Sequence, residues 1–399
     1  MKILFANRFY YHRGGADVYH INLEQFLQNK NHDVATFAMQ HPQNIGSAYS
    51  SYFPKYVEYG SIDLRQFFSL ISRPLGTREV KHKFNALLDN FQPDVVHFNN
   101  IHTHLSPVIA QIAHKRGIKT VWTIHDSKLL CPRLDCTRNK KTCELCFTNK
   151  INVLKYRCLK NSLPASIIAY LEAIKWSREK LENCTDIFIC PSQFMANNMQ
   201  KGGFNINKIL TLCNFIDIEK TRRENYDKED YYCYLGRLSN EKGIYTLIEA
   251  AKQLPFKLKL IGGGPLLEKL QQSTNNETVE ILGHKNWDEI KNIVGKARFS
   301  VLPSECNENN PLSVIESKCL GTPVLGANIG GIPELIEPGK TGMLFESRNA
   351  EDLKEKIVQM FSADFDYMQI ATESQNRYSA EKYYQELMKI YGKENQEMK

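Results

Sequence analysis

Short runs of aliphatic, β-branched and aromatic residues recur along the chain, and between them the apolar positions fall at helical spacing. The first series is KILFA (2–6), DVATFA (33–38), DVVHF (94–98), KTVWTI (119–124) and DIFIC (186–190). A second follows with YYCYL (231–235), KLKLI (257–261), VEIL (279–282), FSVL (299–302) and PVLG (323–326). Near-continuous apolar runs, rather than strict alternation, mark strands covered on both faces. Helical patterns such as 242–253, 286–296 and 350–361 supply the cover. Strand and helix in alternation predict a doubly wound parallel sheet, and two such series in tandem predict two Rossmann-like α/β domains. The stretch IEKTRRENYDKED (218–230) is polar and without periodicity, as a linker is. The expected division is therefore 1–217 and 218–378, with a C-terminal helical segment, 379–399, packing back on the first domain.

Doubly wound sheets bind ligands at the carboxyl ends of their strands, so two such domains facing each other place a site in the cleft between them. Several chemically distinctive residues fall at those ends. Gly14 and Gly15 follow the first strand and open a helix, and His125 follows the fourth. Gly236 and Arg237 follow YYCYL, Lys242 lies in the same loop, and Gly264 closes the loop after KLKLI. Two cations at a helix start suit a diphosphate, combining side-chain charge with backbone N–H groups. Neither glycine loop is followed by Lys-Ser or Lys-Thr, and neither fits the dinucleotide pattern, so a P-loop and a dehydrogenase are excluded. After FSVL comes ENNPLSVIE, with Glu308 and Glu316 eight positions apart around Pro311, a residue suited to a first helical turn. Taken alone, these acids read equally well as a helix-end charge and an ordinary helical glutamate, worth a few tenths of a kcal/mol each.

Composition narrows the picture. With 399 residues, 42% hydrophobic and 24% charged, the chain has the make-up of a soluble protein of two ordinary domains. No apolar run approaches the roughly 20 residues of a membrane span, and the opening MKILFANRFYY reads as a strand, which places the protein in the cytosol. A net charge of +7 suits an anionic partner. No nucleic-acid recognition motif is present. The segment 63–84 interleaves Phe67, Phe68, Leu70, Ile71 and Leu75 with Arg65, Arg73, Arg78, Lys81 and Lys83, a pattern compatible with an anionic membrane interface. Five of the eleven cysteines crowd into 131–158. In a reducing compartment they point to a closed structural zinc site, with Cys131, Cys143, Cys146 and Cys158 as ligands and Cys136 as a substitute.

In their order, RGGADVY, DVVHFNNIHTHLSP, WTIHD, PSQF, YLGRLSNEKG, KLKLIGGGP, ENNPLSVIESKCLGTPVLG, GGIPELI and GKTGMLF resemble the retaining glycosyltransferases of family 4 over nearly the whole chain. That resemblance implies the GT-B fold and a nucleotide-diphosphate sugar donor, with a glycan or lipid-linked acceptor. It assigns Glu308 to the donor sugar's hydroxyls, Glu316 to the ribose and Arg237 and Lys242 to the diphosphate. Backbone help would come from Gly15 and the Asn310, Pro311 and Leu312 turn, and His125 would stand near the anomeric carbon. It implies no metal or other cofactor for catalysis, and the only Asp-x-Asp, Asp364 to Asp366, lies away from any strand end. The cysteine-rich insertion recurs in some members. Asn309 and Asn310 stand where the family often has Phe-Gly, and Phe215 where NGID has its glycine. Cell-surface polysaccharide assembly at the inner face of the cytoplasmic membrane is the expected setting. A nucleotide-sugar 2-epimerase or a non-catalytic GT-B partner subunit are the alternatives.

Overall fold

A computed structural model describes residues 1–57, 71–139, 141–273 and 278–392. The chain forms two compact units, one of Met1–Leu212 joined by the chain from Gln385, the other of Cys213–Tyr384.

The first unit is built on β1 (Lys2–Ala6), β2 (Asp33–Phe37), β3 (Val95–Phe98), β4 (Lys119–Thr123), β7 (Ile187–Cys190) and β8 (Ile209–Thr211). They lie in the order β2-β1-β3-β4-β7-β8, every pairing parallel. Two short strands, β5 (Thr137–Arg138) and β6 (Lys141–Thr142), form a separate hairpin in the cysteine-rich insertion. Leu4, Phe37, Phe84, Phe98, Trp122 and Phe188 share the core of this unit, all but inaccessible to solvent. Fully burying each such side chain contributes about 1.5–3 kcal/mol before the entropy of ordering it is set against it. The end of the last helix (Ala380–Tyr391) belongs here: the Tyr391 hydroxyl meets His97 Nδ1 at 2.6 Å, and His97 Nε2 meets Thr123 Oγ1 at 2.7 Å.

The second unit holds β9 (Tyr231–Leu235), β10 (Lys257–Ile261), β11 (Val279–Gly283), β12 (Ser300–Leu302), β13 (Val324–Ala327) and β14 (Gly342–Phe345). Their order, β11-β10-β9-β12-β13-β14, runs outward from β9 in one direction and from β12 in the other. Chain direction across the sheet therefore reverses between β9 and β12, and their carboxyl ends flank the crevice where such folds take ligands. In the first unit the same reversal falls between β1 and β3. Tyr232 stacks on Phe299 with ring centroids 5.2 Å apart and anchors the core beneath that point.

Candidate active site

The loops after β9 and β12 carry Arg237, Lys242 and Glu308, and bring the last two into contact. Lys242, from the 3-10 turn Asn240–Lys242, reaches Glu308 with Nζ 2.5 Å from Oε1. Ser304 donates its hydroxyl to the same oxygen at 2.7 Å. Burial pulls the Lys242 ammonium down, but the Glu308 carboxylate and its hydrogen bond outweigh that, so the lysine stays charged with its pKa raised. Arg237 is exposed, and its guanidinium makes no ion pair or hydrogen bond among the described residues; only its carbonyl is engaged, by the Tyr234 hydroxyl at 2.8 Å. Of the two cations, one is held against an acid and the other is uncommitted.

Glycine makes this crevice. Gly243 adopts φ 69°, and a Cβ there would lie 1.8 Å from the Pro303 carbonyl oxygen, so the Lys242 turn can lie against the β12 loop only with no side chain. Gly330 plays the same part behind the acid: φ is 62°, a Cβ would meet the Glu308 carbonyl oxygen at 2.4 Å, and the Gly331 N–H donates to that oxygen at 2.7 Å. Gly236 and Gly264 shape the loops alongside, where Leu238 N–H donates to the Gly263 carbonyl at 2.8 Å.

Pro311 stands one residue ahead of the helix Leu312–Cys319 rather than in its first turn, because its ψ of 118° is extended. No side chain caps that helix start, which leaves backbone N–H groups of its first turn for another acceptor. Asn310 also has a structural tie within this unit. Its Oδ1 accepts from the Asn214 N–H at 3.0 Å and its carbonyl accepts from Asn214 Nδ2 at 2.9 Å, so its side chain ties the loop to the CNF segment. Glu316 lies one turn into the helix, half-buried, and its carboxylate has no hydrogen-bond or ion-pair partner among the described residues. Burial pushes its pKa up to about 7. Glu305, which no motif singled out, braces the same loop by accepting from Thr246 Oγ1 at 2.6 Å and pairing with Arg348 at 3.4 Å.

In the first unit, Gly14 precedes the helix Gly15–Asn29, and neither glycine has positive φ. Nothing lies within 4 Å of where a Gly15 Cβ would be. The absence of a side chain there leaves open space at a helix start instead of relieving strain. His125, just beyond β4, is half-buried with its Nε2 2.8 Å from Asn99 Oδ1 and the Tyr19 ring edge-on at 4.9 Å. The polarity of the network behind it follows from its far end. Thr36 donates to Glu24 Oε2 at 3.0 Å, so its oxygen accepts from His20 Nε2–H at 3.1 Å. His20 Nδ1 is then the acceptor for Asn99 Nδ2 at 3.2 Å, which leaves Asn99 Oδ1 to accept from His125 Nε2–H. Burial lowers the His125 pKa to about 4, the Asp126 carboxylate opposing and His102 and Arg8 reinforcing. At neutral pH it is an uncharged ring with Nδ1 as its acceptor. Arg8, in the loop after β1, also acts electrostatically on Asp17 and Asp126, yet no sequence motif marked it.

Two expectations are corrected. Cys131, Cys143, Cys146 and Cys158 are not arranged as a tetrathiolate, and no group of three or more His, Cys, Asp or Glu among the described residues could hold a metal ion. The Cys131 sulfur instead contacts the Cys136 and Cys146 thiols. The left-handed turn at Leu134 and Cys136 swings the expected substitute onto Cys131. The basic–aromatic segment is corrected at one position only, Arg73, while Arg78 and Lys81 are exposed. Phe67, Phe68, Leu70 and Arg65 fall outside the described residues, but Arg73 is 2% exposed. It donates to the Lys55 carbonyl at 2.7 Å and pairs with Glu79 at 3.5 Å, so it is a buried fastener rather than a surface cation.

A model described as Glycosyltransferase Family 4 matches residues 13–220, and one described as Glycosyl transferases group 1 matches 215–383. The chain belongs to Glycosyltransferase Family 4. An uncharacterized glycosyltransferase of Methanocaldococcus jannaschii is 31% identical over 184 residues, covering 45% of this chain and 50% of that protein. The amylovoran biosynthesis glycosyltransferase AmsK of Erwinia amylovora is 28% identical over 150 residues, 34% of this chain and 37% of that one. The chain thus aligns with half or less of these relatives. Among solved structures, sucrose-phosphate synthase of Thermosynechococcus elongatus superposes with a TM-score of 0.69 at 17% identity, covering 98% of both chains. Anabaena HepE in complex with UDP gives 0.68 at 17% identity, over 98% of this chain and 99% of that one. These likenesses show the fold, GT-B. They agree with the two parallel-sheet units of this family 4 chain.

Proposed function

We propose that this family 4 protein transfers a sugar, with retention of anomeric configuration, from a nucleotide-diphosphate sugar to a glycan or lipid-linked acceptor. The observation that carries the proposal is the set of groups at the β9–β12 crevice. An uncommitted arginine and a lysine already matched to an acid lie on one pair of loops, and an unpartnered glutamate with a raised pKa lies on the helix that follows the second loop. Arg237 and Lys242 would carry the negative charge that develops on the diphosphate as the C1–O bond breaks. Glu308, freed from part of its contact with Lys242, would accept hydrogen bonds from the sugar, and Glu316 would accept them from the ribose. Gly14, Gly15 and neutral His125 are assigned to the same donor. As the new bond forms from the acceptor oxygen to C1, its proton passes to the departing phosphate oxygen. Catalysis is then positioning and charge stabilisation, with no protein nucleophile and no step assigned to a metal.

HepE's complex with UDP supports the ligand class, and AmsK's name supports polysaccharide biosynthesis as the setting. No helix among the described residues is long and apolar enough to cross a membrane, and we place the reaction at the cytoplasmic face. The stereochemical claim has a direct test that needs no acceptor. Slow hydrolysis of an α-configured donor is followed by proton NMR before mutarotation sets in. The α-anomer should appear first. The β-anomer appearing first would contradict retention, and conversion of the donor to its 2-epimer would replace the transferase with an epimerase.

A further inference from the structure

The helix Leu163–Lys175 is turned inside out. Its inward face carries Ser166, Ala169 and Glu172, while Leu163, Ile167, Leu171 and Ile174 are 44%, 42%, 45% and 49% exposed. Those four recur at the spacing of one helical face. The orientation is pinned by polar contacts. Glu172 pairs with Lys128 at 2.9 Å, both nearly inaccessible, and accepts from Thr103 at 3.2 Å. Ser166 Oγ accepts from the Leu159 N–H at 3.3 Å, and at the far end Trp176 Nε1 donates to the Pro74 carbonyl at 2.8 Å. Rotating the helix to hide these four side chains would break the buried Lys128–Glu172 pair, a loss that opposes the gain from hiding them. The outward stripe is therefore a fixed feature of the first unit.

Charge indicates what covers it. From Leu145 to Leu171 the sequence holds no aspartate or glutamate, while Lys150, Lys155, Arg157 and Lys160 all fall within it. Lys155, Arg157 and Lys160 are exposed just ahead of the helix, as is Ile151. A stripe on a helix of 13 residues is about 20 Å long and one side chain wide, far less than the roughly 800 Å² per partner of a stable protein interface. A narrow apolar ridge led by cations, in a stretch of sequence without acids from 145 to 171, matches the boundary between headgroups and acyl chains of an anionic leaflet.

We propose that the Leu163–Lys175 helix docks this protein on an anionic lipid surface, its Leu/Ile stripe entering the interface while Lys155, Arg157 and Lys160 meet the headgroups. The stripe is made of residues outside the 63–84 segment, and none of them belongs to the donor site, so its test stands apart from the transferase reading. The full chain is sedimented with vesicles of phosphatidylcholine alone and of phosphatidylcholine with phosphatidylglycerol. Binding is expected only to the second, weakening with salt. Replacing Leu163, Ile167, Leu171 and Ile174 together by serine should reduce it about tenfold or more while the thermal unfolding midpoint holds. The pair Lys155→Glu and Arg157→Glu should reduce it with the stripe intact. A tryptophan probe, Leu171→Trp, should shift its fluorescence to the blue on vesicle addition. Undiminished binding by the serine variant, an unshifted probe, or no binding by the native chain would overturn the proposal. So would a dimer in solution that the serine variant dissolves, which would make a second copy the occupant.

Discussion

Glu316 is the residue whose surroundings make the sharpest demand. A half-buried carboxylate with no protein partner keeps its proton to about pH 7, whereas in the unfolded chain it loses it near the ordinary glutamate value. Between those two values the folded state holds the extra proton, so this group's contribution to stability falls as pH rises through that window. A ribose diol needs both carboxylate oxygens as acceptors, so a bound nucleotide should favour the ionised form and lower that pKa. Nucleotide affinity measured by calorimetry should therefore weaken as pH falls below about 7, with proton release on binding that Glu316→Gln abolishes. Affinity unchanged from pH 5.5 to 8, or a slope that survives in Glu316→Gln, would remove Glu316 from the ribose site. The place of Glu316 inside a helix was open to a reading of ENNPLSVIE, but its lack of a partner was not, because that depends on everything packed around the helix. The Lys242–Glu308 pair was equally hidden, joining residues 66 positions apart. The tie between Asn310 and Asn214 was hidden for the same reason, the two lying 96 positions apart.

At the scale of elements, buried strands were the most legible part, since both faces of a central parallel strand must be apolar and the sequence cannot disguise it. Of the strands in the two parallel sheets, β8 and β14 escaped, each at a sheet edge with only part of its residues buried, and the β5–β6 hairpin of the insertion escaped as well. The Leu163–Lys175 helix escaped because its buried face is the polar one, the reverse of the pattern a helix normally shows. Loop glycines divide into two kinds that sequence alone does not separate, and substitution should separate them. Gly243→Ala forces a Cβ onto the Pro303 carbonyl at a left-handed position and should cost more than about 2 kcal/mol in urea unfolding. Gly15→Ala meets nothing within 4 Å and should leave stability within about 0.5 kcal/mol, while donor turnover falls because the methyl occupies space assigned to the ligand. A Gly15→Ala protein with native turnover would show that this space is not used.

At the scale of the whole molecule, the two halves contribute different chemistry. The second unit gathers the charged groups suited to a diphosphate and a ribose, with the acids supplied by one loop and helix and the cations by another. The first unit offers an uncharged histidine at the end of a hydrogen-bonded chain, open space at a helix start, and an apolar ridge on its surface. Net charge of +7 spread over the chain would favour anionic ligands of many kinds, so it does not by itself discriminate among them. What discriminates is the crevice between β9 and β12. Its occupation by a nucleotide-diphosphate sugar is the central claim, and the most direct test is a thermal-shift series with UDP, GDP, ADP and dTDP and their sugars. A ligand at 100 times its dissociation constant adds about 2.7 kcal/mol to stability. One nucleotide family should raise the unfolding midpoint of the native chain, and the rise should vanish in Arg237→Ala and Lys242→Ala. A rise that persists in both variants, or none from any nucleotide or nucleotide sugar, would contradict it.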